Sequence, residues 1–347
     1  MRYRLISWLG IIALAMASIG CPSDDLINPT MPRWRLLAAV PDGSHTRLVL
    51  YSMPDGAVVN DDVYAQANGN VLDGEAVRIE QFRSMLFVLQ PNQQRIEVLD
   101  ATTFRRIARI STAPHAAVAI CFANGTTAYT AHGDSTIGVV DLTVFQMVRT
   151  IVTGSAPVAL AAMGNQVAVC NRGSGTVSII DSRTNAVTRT VSVAPVPAFV
   201  CAASDPATSF CILSIGHGKL DSLPRTPAML TFYDPFADRV LAQVELSQAT
   251  ADAVTTLPRG VIAGTAATVF ILLDSEVQLA DAAGQRMLGA ILFNGADGGT
   301  YNFARELVVL WWGGDSGTTV VAFDPSSGAE RGRTTLPVTV RAAAGLY

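Results

Sequence analysis

Charge is scarce in this chain. Of 347 residues only 15% are charged, half are hydrophobic, and the formal net charge is −4. No long basic run occurs, which excludes the electrostatic footprint that nucleic-acid binding needs. Aromatic residues make up only 7%, so the core must be built from aliphatic and small side chains. The five cysteines include no Cys-x-x-Cys pair, which excludes the usual structural zinc spacing. Beyond the first twenty residues no apolar run reaches the roughly 18 residues of a membrane span. Catalytic signatures are missing too. There is no Gly-x-Ser-x-Gly elbow and no His-Glu-x-x-His helix, and "GSG" at 173–175 lacks the Lys-Ser/Thr of a phosphate loop. These absences favour a binding protein over an enzyme, with no cofactor and no metal site expected. A metal-dependent hydrolase such as a lactonase is the remaining catalytic alternative.

What is present begins with an export signal. Arg2 and Arg4 precede an apolar stretch from Leu5 to Ala17, too short to span a bilayer. "SIGC" follows, with a small residue just before Cys21, and resembles a bacterial lipobox. Ser18 stands where that motif usually has Leu, so a plain secretory signal is the alternative. The expected organisation is a lipoprotein signal peptide over 1–20, lipidated Cys21 and a tether over 21–32, and one domain over 33–347. The mature chain is expected to be extracytoplasmic, a monomer, and held to the outer membrane by its lipid only.

The domain is repetitive. "IEVLDATTFRRIARI", "IGVVDLTVFQMVRTI", "VSIIDSRTNAVTRTV", "LTFYDPFADRVLAQV", "VQLADAAGQRMLGAI" and "VVAFDPSSGAERGRT" each carry an apolar run closed by an aspartate: Asp100, Asp141, Asp181, Asp234, Asp281 and Asp324. "LVLYSMPDGAVV", with Met53 at that point, is a seventh copy. A period of about 40 to 50 residues holding several short strands predicts a β-propeller. Each aspartate can cap the following turn by accepting backbone N–H groups. The segment after it is rich in Val, Thr and Ile, which suits a pleated surface. "TAPHAAVAI", "SAPVALAAM" and "PVPAFVCAA" place small residues on the crowded strand nearest the axis. The fold class is therefore all-β: seven four-stranded antiparallel blades, with strands A to D running from the axis outward. One blade is expected at 158–163, 166–170, 176–180 and 187–193. The first copy has strands near 34–40, 46–52 and 57–64 but no inner strand. "LPVTVRAAAGLY" reads as an inner strand with nothing after it. The C-terminal strand, about 338–346, is thus expected to complete blade 1.

"NRGSGTVSIID" followed by "SRTNAVTRTVSVAPVPAFV" resembles the YVTN-type (YncE-like) propeller repeat of bacterial extracytoplasmic proteins. The segment from Asn60 to Ile110 resembles surface-lipoprotein propellers of Bacteroidetes of the DUF5074 type. Here Leu72-Asp73-Gly74 inverts their usual Gly-Asp order. The second resemblance implies capture of a small nutrient, in some members cobalamin, over a TonB-dependent outer-membrane transporter. An envelope scaffold that binds protein and no small ligand is the rival reading.

The B-to-C and D-to-A loops share one face of a propeller, and loops on a rigid scaffold are where binding concentrates. The rim candidates are His45, Asn92, Gln93, His115, His132, Asp134, Asn171, Arg172, His217, Lys219, Trp312 and Asp315. All four histidines fall in expected loops. They form either a ligand-contacting ring or a set of solvated turn residues, and a metal would need three of them or their neighbours to converge. Trp311 and Trp312 should point to opposite faces of their strand, either with one in the core and one free for a flat contact or with both rings packed between blades. Cys201 and Cys211, on strands A and B of one blade, are placed for a disulfide if the hairpin is tight. Cys121 and Cys170 read as small core residues. The D-to-A segment Asn60–Glu75 reads as a long rim loop.

Overall fold

The structure is a computed structural model and describes residues 33–204, 207–217, 226–246, 258–273, 276–292, 296–302, 306–314 and 317–346. The signal segment, Cys21 and the tether lie outside the described residues, as do Lys219 and Asp315. Among the described residues no helix is long and apolar enough to cross a membrane.

The apolar runs before the aspartates form the buried middle of each blade. In blade 4 the strands are Pro157–Met163, Gln166–Asn171, Thr176–Asp181 and Ala186–Ser192, hydrogen-bonded in that order. Strands B and C are buried on both faces, from Val167 to Cys170 and from Val177 to Ile180, because each sheet is sandwiched between two others. Strand D alternates exposed and half-buried residues, as an outer edge should. Blade 3 repeats this plan with Ala117–Phe122, Thr127–His132, Thr136–Asp141 and Gln146–Val152.

The repeated aspartates are turn residues. Asp100, Asp141, Asp181, Asp234, Asp281 and Asp324 each accept the backbone N–H two residues on, and four of them also the one three residues on. Asp181 also holds Arg183 at 2.7 Å, and that side-chain bond, with the Arg183 backbone N–H, lowers its carboxyl to about 2.

Closure follows the expected route. Ala342–Leu346 pairs antiparallel with Trp34–Asp42, bringing Arg35 opposite Leu346 and Ala39 opposite Ala342. His45–Met53 and Ala57–Asn60 complete that sheet. The chain is a seven-bladed β-propeller. Its inner strands are crowded, and glycine answers that in blade 7. A Cβ on Gly298 would meet the Trp311 ring within 2.5 Å, and one on Gly299 would meet Leu310 at 2.7 Å and Ile262 at 2.9 Å.

Two expectations need correction. Asn60–Glu75 is not an open rim loop. It holds a short helix, Val63–Asn68, capped by the Asp62 carboxylate and ended by Gly69 at φ 74°, and then Leu72–Asp73 pairs with strand C of blade 1. Tyr64 and Leu72 are fully buried. Asp73 contacts Arg95 at 2.5 Å, and fully buried Glu97 contacts Arg95 at 3.3 Å and Arg109 at 2.6 Å. The segment therefore straps blade 1 to blade 2. The inverted Asp-Gly order matters here: a Cβ on Gly74 would fall 2.0 Å from the Gln93 side chain.

The second correction concerns Cys201 and Cys211. They face each other across the A–B ladder as expected, but both are free thiols. Two residues along, Ala203 N–H donates to Ser209, so by alternation Cys201 and Cys211 form a hydrogen-bonded pair. Such pairs hold their side chains farther apart than the narrow disulfide geometry prefers. A hydrogen bond to Cys211 and burial hold the Cys201 thiol well above its usual pKa. Cys121 and Cys170 are buried core residues, and burial pushes the Cys121 thiol up to about 12.

Candidate functional site

The loop face gathers three of the expected rim residues in blade 3. His132 ends strand B, Asp134 lies in the B-to-C turn, and His115 lies in the connection from strand D of blade 2 into strand A of blade 3. That connection is pinned to the turns beneath it. Thr112 N–H donates to Gln94, and the Gln94 amide donates to Pro114.

His115 Nδ1 lies 2.5 Å from Asp134 Oδ2. A carboxylate only accepts, so this nitrogen carries the proton, and in the neutral ring the lone pair falls on Nε2. Nε2 has no hydrogen-bond partner among the described residues. The side chain of His115 is 17% exposed, so that nitrogen is within reach of a small molecule. Thr136 Oγ1 donates to Asp134 Oδ1 at 2.6 Å and braces the carboxylate from the other side. Burial pushes the Asp134 carboxyl up, but its bonds from Thr136 and His115 outweigh this and hold it below its usual value.

His132 is different. It is fully buried, not a loop residue, and stacks on His115 with ring centres 4.7 Å apart and planes within 5°. Both its nitrogens are used: Nδ1 on Thr136 at 2.9 Å and Nε2 on Thr130 at 3.0 Å. Burial first, and His115 second, lower its pKa to about 4, so it stands neutral near pH 7. Gly138, across the hairpin, makes room for the ring. A Cβ there would come within 3.0 Å of His132 Cε1 and 2.5 Å of Thr130 Oγ1.

His115, His132 and Asp134 bring their ligand atoms within 4.8 Å of one another. They do not make a three-ligand metal centre as they stand. Imidazole binds a metal in its own plane, and two rings stacked in parallel share no in-plane point. The focus of the cluster is also filled, because the Thr136 hydroxyl sits there bonded to His132 and Asp134. The arrangement offers one donor, His115 Nε2, oriented by a carboxylate in the manner of an outer-shell partner.

The other candidates disperse. His45 begins strand C of blade 1, with Asp42 3.8 Å away. His217 is in blade 5, its N–H donating to Thr226. Asn171, at the position of His132 in blade 4, is fully buried and bonds Ser178 at 2.9 Å and Thr176 at 3.2 Å, so it is no rim ligand. Arg172 is an exposed turn residue whose N–H donates to Ala156. Asn92 and Gln93 form a single helical turn at the end of strand B of blade 2. Trp311 is core, as alternation predicts, but Trp312 is not a bare platform: Arg333 covers its ring at 5.6 Å. Sequence reasoning missed Thr130, Thr136 and Gly138, which position the cluster. Their signal was weak, since Thr and Gly are common in strands and turns.

Residues 81–201 match the family model described as the cytochrome D1 heme domain. That is blade 2 through the inner strand of blade 5 and includes the His115 cluster. No curated protein matches the chain. Among solved structures, the computationally designed Ika8 protein is similar at a TM-score of 0.59 and 14% identity, over 89% of this chain and 90% of that one. This likeness concerns the fold alone.

Proposed function

We propose that the chain is an extracytoplasmic propeller, anchored through Cys21, that captures a small nutrient at its loop face without turning it over. Its most concrete form is a metal-bearing macrocycle of the corrinoid kind, passed on to an outer-membrane transporter. The observation that carries this reading is His115 Nε2, a lone-pair donor held in place by Asp134. Two further points support it. The Bacteroidetes propellers that the chain resembles include cobalamin-capturing members, and the family model over residues 81–201 is named for a heme domain. His115 alone would hold the metal of such a group, through one nitrogen, because His132 is spent on two threonines. Among the described residues no Ser, Thr or Cys side chain hydrogen-bonds His115 Nε2, which favours binding over nucleophilic catalysis.

The test is a titration of the purified chain with aquocobinamide, cyanocobalamin and hemin, followed by calorimetry and by visible absorption. One-site binding with replacement of an axial water, lost in His115→Ala and weakened in Asp134→Asn, is the expected result. No binding of any macrocycle would sink the nutrient form and leave a protein-binding scaffold. Anchoring is tested separately: Cys21→Ser should move the chain from the membrane to the soluble fraction.

A further inference from the structure

The inner strands carry a second pattern at the loop face. In every blade one inner-strand residue sits at the loop-face end of the A–B ladder, skipped between two paired residues in blades 3 to 6 and standing just before the first pair in blades 2, 7 and 1. In blades 2 to 5 it is Val77, Val118, Val158 and Ala198. In blades 6, 7 and 1 it is Arg259, Asp297 and Arg341. Blades 2 to 4 therefore present valines, blade 5 holds a buried alanine, and the three blades that close the ring present charge. The valines at this position are half-buried to exposed, and the three charged residues are exposed.

The charged arc has local partners. Asp297 accepts the Gly313 N–H at 2.7 Å, which commits one of its oxygens to the blade 7 turn. Arg341 Nε stands 3.6 Å from Glu75, a long contact that leaves most of its five donors for other acceptors. Arg259 is engaged as well. Farther along the inner strand of blade 2, Arg78 and Glu80 pair with each other at 2.6 Å and add no net charge.

We propose that this mouth is a divided site for an amphipathic acid. An apolar body lies against Val77, Val118 and Val158, and a carboxylate or similar anion turns toward Arg341 and Arg259. A planar guanidinium suits a carboxylate better than any other side chain, through two parallel N–H donors. Apolar groups on the facing arc exclude water from one side of the pair, which strengthens it. The inference shares with the previous section only the view that the loop face binds ligand. It does not depend on a macrocycle or on His115.

The probes are pyrenebutyrate and the neutral pyrenebutanol, titrated by fluorescence into the purified chain at low ionic strength. The acid should bind about tenfold or more tightly than the alcohol, the scale of one charge-assisted contact. Salt should narrow the gap. Arg341→Ala, with its exposed side chain, should bring the acid down to the alcohol and leave the alcohol unchanged. Val158→Asp should weaken both. Equal affinities in the unaltered chain would overturn the inference, as would discrimination that survives an Arg341→Ala, Arg259→Gln double variant, or failure to bind either probe. A chain that separates acid from alcohol but ignores macrocycles keeps this site and loses the corrinoid reading. The converse result does the opposite.

Discussion

Blades 3 and 4 share one register, yet the loop ends of their central strands hold different chemistry. In blade 4, Asn171 reaches across to Ser178, and Thr176 and Ser174 close a small neutral network at 3.0 Å. In blade 3 Gly138, paired with Thr130 and diagonal to His132, stands at the place of Ser178, and the space that a Ser178 side chain fills is given to an imidazole. A second imidazole then stacks on the first. The scaffold is constant, and one missing Cβ decides whether the position is a packed amide or a titratable pair.

Exchanging residues between the two blades breaks the comparison most sharply. Asn171→His, with Ser178 still in place, forces a ring into filled space and should cost about 3 kcal/mol, at the upper end for overpacking. Adding Ser178→Gly should recover much of this in denaturant unfolding, and no recovery would mean that the glycine is not what admits the ring. The reverse change, Gly138→Ser, should cost roughly 2 kcal/mol by the same measurement, because Thr130 and His132 must both give way.

The next effect is one of pH. His132 has a folded-state pKa of about 4, below its ordinary value, so between pH 6.5 and 4 the unfolded chain binds the extra proton. Stability from this residue is present in full above pH 6.5 and is lost as pH falls toward 4, by roughly 3 kcal/mol. His132→Asn, which copies blade 4, should flatten that slope while Asn171→Ala should not. Unfolding midpoints measured at pH 7, 5.5 and 4.5 decide it. The smallest effect is Asp134→Asn. Asp134 is exposed, so stability should change by less than about 1 kcal/mol, while ligand binding through His115 weakens.

The propeller was legible because its signals are local. Asp100 through Asp324 close their strands and cap their turns with atoms from the same few residues, and the unpaired "RAAAGLY" at one end answers the missing inner strand at the other. The site was legible only in part. His115 and Asp134 look like rim residues and are. His132 and Asn171 look the same in sequence but are buried, because their fate is set by Gly138 and Ser178 across the hairpin. The mouth of the channel was hidden for a similar reason, since it is assembled from one residue per blade. One clue was available: Val158, Ala198 and Arg259 each follow the proline that opens an inner strand. The strap at Asn60–Glu75 could not be foreseen, because Asp73 meets Arg95 only when two blades stand side by side.

The closing ladder has a mechanical consequence. Arg35 lies opposite Leu346, so both ends of the folded chain leave from the same end of one ladder. A force applied between them peels the hydrogen bonds apart one at a time rather than loading them together. The ring should therefore open at low tension when pulled by its two ends. A force applied across two interior blades would have to shear several buried sheets at once.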